Sequence, residues 1–143
     1  MGFFEKIFNK DNNDKIEQEL NVPKRVVVND SEFGGFVISK NVIAGKPIRY
    51  TYREKTTIEN LNGWNIYSFD DDDEYVSNPD NFEIVSATTI NNIAPIMLDL
   101  FYAPYGTDVC WMYDKNGKHI GFYDLVKNED TTLEKILGKN NSK

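Results

Sequence analysis

Five contiguous carboxylates, Asp70, Asp71, Asp72, Asp73 and Glu74, follow the strand-like segment GWNIYSF and are succeeded by Tyr75. Three kinds of chemistry use such a run. A helix-loop-helix calcium site sets acidic ligands at alternate positions, then a glycine, then a distant glutamate. Here the aspartates are contiguous and no glycine follows in register. A solvated turn is the second use, since Asp and Asn bond their own backbone in turns and Pro79 with further Asn and Asp residues comes next. Recognition is the third. Clustered carboxylates beside Tyr67 and Tyr75 can meet Arg and Lys of a basic partner, with charge speeding association and the aromatics acting as desolvated anchors. Residue types alone lean to the solvated turn and leave the recognition surface open.

Other reactive patterns are sparse. The single histidine, His119, follows a turn and reads as an ordinary exposed residue rather than a catalytic one. The single cysteine, Cys110, excludes an internal disulfide and a cysteine zinc cluster, and reads as a small buried hydrophobe. No glycine-rich phosphate loop ending in Lys-Ser/Thr and no paired-histidine metal motif occurs. The pair Gly34-Gly35 fits a strand start or bulge. The chain therefore reads as a non-enzyme that needs no cofactor.

The totals fit that reading. The 143 residues suit one domain, and 40% hydrophobic with 27% charged residues describe a globular chain. A net charge of −7 disfavours nucleic acid and anionic membranes and suits a basic protein partner. No apolar run reaches the ~20 residues of a membrane span. No secretory leader pattern stands at the N-terminus, so the expected compartment is the cytoplasm.

The elements that must position these residues follow from period and punctuation. In MGFFEKIF, Phe3, Phe4, Ile7 and Phe8 share one helical face, and the Asn-rich stretch after it reads as a linker. Residues 1–24 are thus expected to be an amphipathic appendage and polar linker, and residues 25–143 one domain. RVVV is a short strand. Phe36–Ile43 and Ile48–Arg53 read as two arms of a hairpin turning at AGKP, with Ile48, Tyr50 and Tyr52 on one face and Arg49, Thr51 and Arg53 on the other. GWNIYSF, apolar on both faces, reads as a covered central strand with Trp64 buried. The run Ile90, Ile93, Ala94, Met97, Leu98 and Phe101 has helical spacing, with Thr88 or Thr89 as cap. Pro95 inside it predicts a kink or two short helices meeting at Ala94-Pro95. A second hairpin turns at Asn116-Gly117. TTLEKILGK predicts a terminal helix with capping-box spacing between Thr131 and Glu134 and a stop at Gly138. The expected fold class is α+β: a mainly antiparallel sheet of hairpins, one substantial kinked helix and short terminal helices.

Several of these segments, taken in order, resemble the bacterial immunity-protein 33 family, long listed as a domain of unknown function. The resemblance rests on Gly34-Gly35, Ser39-Lys40, Tyr52-Arg53-Glu54, Gly63-Trp64, Asp72 to Tyr75, Pro79 to Asn81, Thr89-Ile90 and Ala103 to Gly106, and covers about Gly34 to Asp124. The chain departs from the family pattern at Asn62, where Ser is favoured before Gly-Trp, and at Phe69, where Gly is favoured before the acidic run. The resemblance implies a cytoplasmic antidote that binds a cognate toxin of a polymorphic toxin system and blocks it stoichiometrically. The acidic balance adds the expectation that the toxin is basic. On this reading Asp70 to Glu74, Tyr75 and Tyr67 are partner-binding residues. A small-ligand or calcium-binding module using the acidic loop is the alternative.

Overall fold

The computed structural model describes residues 28–138. The N-terminal Phe-rich face and its linker, and most of RVVV, lie outside the described residues. Helix α1 (Asp30–Phe33) leads into strand β1 (Gly35–Ser39), helix α2 (Lys40–Ile43), β2 (Ile48–Arg53) and β3 (Leu61–Ser68). Helix α3 (Asp73–Val76) and a 3-10 turn (Pro79–Asn81) follow, then β4 (Phe82–Val85), α4 (Ala87–Ile93) and α5 (Ile96–Leu100). The described residues close with β5 (Asp108–Tyr113), β6 (His119–Asp124), β7 (Glu129–Thr131) and α6 (Leu133–Leu137). Among the described residues the seven strands form one sheet in the order β4-β1-β3-β2-β5-β6-β7, antiparallel except for β1 against β3. The fold is α+β.

Local chemistry accounts for most boundaries. Pro95 separates α4 from α5 as its missing donor requires, with Ala94 at φ −154° ending the first helix. The caps lie one to three residues away from the sequence expectation. Ser86, not Thr88 or Thr89, caps α4 by accepting from the Thr89 amide, and Thr132, not Thr131, caps α6 through the Lys135 amide. Gly138 ends α6 in the left-handed conformation. The β5–β6 hairpin turns at Asn116-Gly117, but positive φ falls on Gly117 alone, because the Asp114 carboxylate takes the amides of Asn116 and Lys118 and shapes a longer turn.

The first expected hairpin is not formed. Ser39 caps a helical turn at Lys40–Ile43, which ends β1 early, and β3 inserts between β1 and β2. Ile48–Arg53 instead makes its hairpin with Leu61–Ser68. The face assignment within β2 also changes. An irregularity between Ile48 and Tyr50 resets the alternation, so Ile48 and Thr51 point into the core while Tyr50 and Tyr52 share the opposite face with Tyr67.

One face of the sheet carries the core. Phe36, Ile38, Trp64, Ile66, Val109, Trp111 and Phe122 pack against Val42, Ala87, Ile90, Met97 and Leu100 from α2, α4 and α5, with residues of α1 and α6 at the margin. Trp64 is 0% exposed, as expected. The other face of β3 is not covered by that layer. Among the described residues it carries the half-buried Asn65 and Tyr67, and α3 at its edge is the only helix nearby. Cross-strand register puts Val37, Ile84, Phe82, Tyr50, Tyr52, Asp108, Cys110, Met112, Tyr123 and Asp130 on this open face with them.

Candidate partner-binding surface

The acidic run begins where β3 leaves the sheet, and its carboxylates divide by task. Asp71 accepts from the Ser68 amide at 2.8 Å, from Ser68 Oγ at 3.2 Å and from Asn41 Nδ2 at 2.7 Å, which locks the turn and ties it to α2. Asp72 caps α3 by accepting from the Tyr75 amide at 2.9 Å. Asp70 pairs with Lys46 at 2.8 Å on the surface, and that contact raises the lysine pKa. Asp73 and Glu74 are exposed in the first turn of α3, where a helix N-terminus favours negative charge, and neither side chain has a partner among the described residues. Turn building therefore occupies two of the five carboxylates and a surface ion pair a third, and the other two are exposed and have no partner among the described residues. Among the described residues no group of three or more His, Cys, Asp or Glu is placed to hold a metal ion.

The two tyrosines singled out beside the run are joined through a third ring. Tyr75 and Tyr67 stand 6.2 Å and 5.3 Å from Phe82, measured between ring centroids. Tyr75 is further held by Asn81, whose side chain donates to the Tyr75 carbonyl at 2.8 Å. Tyr67 continues into Tyr50 and Tyr52, each 5.7 Å away, and its hydroxyl lies 3.1 Å from that of Tyr52. Beside this chain of rings runs a shallow groove of about 620 Å³ lined by Val37, Leu61, Tyr67, Val76, Phe82 and Ile84. Ile84 is 64% exposed there. The acidic helix thus rims an aromatic, partly apolar surface.

Tyr67, Tyr75 and the acidic run were the residues expected from sequence, and the structure places Tyr50, Tyr52 and Phe82 against them. The alternation of Tyr50 with Tyr52 was legible, but Ile48 was the wrong guide to their face because the strand irregularity lies between. His119 differs from its expected exposed state. It is half-buried, 4.9 Å from the Trp111 ring and 4.8 Å from Phe122, and burial lowers its pKa. Cys110 is half-buried on the open face.

Burial raises the pKa of Tyr50, with Asp108 adding to it, and that of Tyr52, with Tyr67 adding to it, while burial pushes Tyr113 up to about 12. Tyr113 donates its hydroxyl to the Ile48 carbonyl. These phenols stay neutral in the folded state after the unfolded chain has begun to ionise its tyrosines near pH 10. The unfolded state then binds fewer protons, so stability falls as pH rises from about 10 towards 12. Denaturant melts across that range, read with phenolate absorbance, should show unfolding coupled to tyrosine ionisation. A midpoint unchanged from neutral pH up to pH 12 would contradict the burial of these rings.

A second cluster gathers Tyr52-Arg53-Glu54, Gly63-Trp64 and Ala103 to Gly106. The Arg53 guanidinium donates to the carbonyls of Asn62 at 2.9 Å, Phe101 at 2.8 Å and Ala103 at 2.9 Å. It also stacks 4.5 Å from the centroid of Tyr105 and 4.8 Å from that of Phe101. Backbone bonds from Arg53 to Thr107, Gly106 to Arg53 and Glu54 to Gly63 close the corner. These residues hold β2, β3 and the segment after α5 together. Their role is architectural.

The sheet thus has one helix-covered face and one face that carries tyrosines with Asp108 and Asp130. The chain belongs to the family of the immunity protein Imm33 domain, whose model matches residues 36–123. No curated protein and no solved structure matches the chain. Among the described residues no helix is long and apolar enough to cross a membrane.

Proposed function

We propose that this protein neutralises a cognate toxin by binding it one to one, without catalysis, in the cytoplasm. In this reading residues 25–143 act as one binding domain, the toxin surface is basic, and Asp70 to Glu74, Tyr75 and Tyr67 form part of the contact. The observation that carries the reading is the family match over residues 36–123. The placement of exposed Asp73 and Glu74, without a partner among the described residues, beside the Tyr75–Phe82–Tyr67 rings supports the choice of surface. Exposed carboxylates steer a cationic partner during encounter, and aromatic anchors slow its departure.

The test uses a toxin domain identified by screening the products of the flanking genes for binding to the full chain, together with the double variant Asp73→Asn, Glu74→Gln. Both sites are exposed and outside the turn-locking bonds, so stability should change by no more than about 0.5 kcal/mol. Association should slow several-fold at low ionic strength, and the gap to wild type should close at high salt because exposed charges are screened. Equal association rates at low salt would remove these carboxylates from the interface.

A further inference from the structure

Among the described residues, the positions that strand pairing places opposite the core include Asp108 and Asp130 and no lysine or arginine. Arg49, exposed at the irregularity of β2 and 5.7 Å from the Phe69 ring, is the one strand cation near the Tyr50 end of this face. At its centre stand Tyr50, Tyr52 and Tyr67 in mutual ring contact, and Tyr123 opposite Cys110 extends the series towards Asp130. One carboxylate oxygen of Asp108, across from Tyr52, is buried without a hydrogen-bond partner among the described residues. The Tyr67–Phe82–Tyr75 rings make the face continuous with the acidic helix α3.

We propose that the whole open face, from Phe82 on β4 through Tyr67 to Asp130 on β7, is the surface on which the protein partner docks, and that the partner presents arginine and lysine side chains to it. The proposal rests on the immunity reading above and adds to it the sheet face beyond the loop. Three features fix the occupant. Aromatic faces attract guanidinium and ammonium groups, and neutral phenols donate and accept hydrogen bonds, so a tyrosine floor with scattered carboxylates suits a cationic protein surface. Tyrosine is also a preferred interface anchor. The dimension agrees: six inter-strand spacings of about 4.8 Å give roughly 29 Å, close to the width of a patch of about 800 Å², the usual share of one partner in a stable complex. A second copy of the chain would set carboxylate against carboxylate and is disfavoured by the same charges.

The experiment titrates the full chain calorimetrically with the toxin domain identified among the products of the flanking genes. Asp130→Lys and Tyr123→Ala probe the face far from α3, and Asp99→Lys, exposed on α5 in the helical layer, is the control. Asp130 is exposed in a short outer strand, so its variant keeps the test valid even if Tyr123→Ala folds poorly. Each face variant should weaken the dissociation constant by about tenfold or more, and the control by less than about twofold. Wild-type affinity in Asp130→Lys, with one-to-one binding by the unmodified chain, overturns the face proposal while the immunity reading stands. Absence of binding by the unmodified chain overturns the immunity reading and the face proposal with it. Sedimentation should show a monomer. A dimer that Asp130→Lys dissociates would assign the face to a second copy and overturn the proposal.

Discussion

Trp64→Ala should destabilise the protein by about 3–5 kcal/mol, the range for deleting a large buried aromatic side chain. The indole is fully enclosed between β3 and the end of α5, and its Nε1 donates to the Phe101 carbonyl at 3.2 Å. The Arg53 guanidinium lies 5.8 Å from its ring and shares the same carbonyl. Alanine would remove the apolar contact, leave a cavity that the sheet cannot collapse around, and loosen the platform beneath Arg53. Against a typical domain stability of about 5–15 kcal/mol, that loss is large enough to shift the unfolding midpoint strongly. Denaturant melts of the variant and the unmodified chain measure it directly. A loss below about 1 kcal/mol would mean that the indole does not anchor the core.

Gly63→Ala should be comparably severe, about 3 kcal/mol or more, by a different cause. Gly63 sits at φ +92°, which an alanine adopts only with strain, and a Cβ there would lie 2.2 Å from the Glu54 carbonyl oxygen. That oxygen belongs to the backbone, so no side-chain rotation relieves the clash. The hairpin would have to open where the Glu54 amide bonds to the Gly63 carbonyl, next to the Arg53 corner. Gly106→Ala provides the contrast. Its φ of +98° is as unusual, but no atom lies within 4 Å of the added methyl, so the cost should be limited to backbone strain of about 1–2 kcal/mol. Equal unfolding midpoints for the two variants would show that the close approach at Gly63 is not limiting.

The sequence made some of this legible and concealed the rest for identifiable reasons. The break at Pro95 and the Asn116-Gly117 turn were readable because a missing amide and a tolerated positive φ act locally. Burial of Trp64 was readable from the apolar pattern of its strand, but the expected cover on the second face is missing among the described residues, where Asn65 and Tyr67 are only half-buried. The partner of Ile48–Arg53 was not, because strand pairing is set by the whole sheet, and the Ser39 cap that ends β1 early looks like any serine in a strand. The irregularity between Ile48 and Tyr50 turned Tyr50 and Tyr52 towards the open face, and such a shift leaves no mark in a pattern of period two. The acidic run was conspicuous, but the division between turn-building Asp71 and Asp72 and the exposed Asp73 and Glu74 needed the positions of Ser68, Asn41 and the Tyr75 amide. Tyr123 and Asp130 joined the surface only through the register of β5, β6 and β7.

The most direct measurement is a titration of the activity of the toxin domain identified among the products of the flanking genes with increasing amounts of the full chain. Activity should fall linearly and reach zero at a one-to-one molar ratio, with the toxin recovered chemically unchanged from the complex. Complete inactivation at far less than one equivalent, or covalently altered toxin, would reveal an enzyme. Full activity at several equivalents would contradict the binding account altogether.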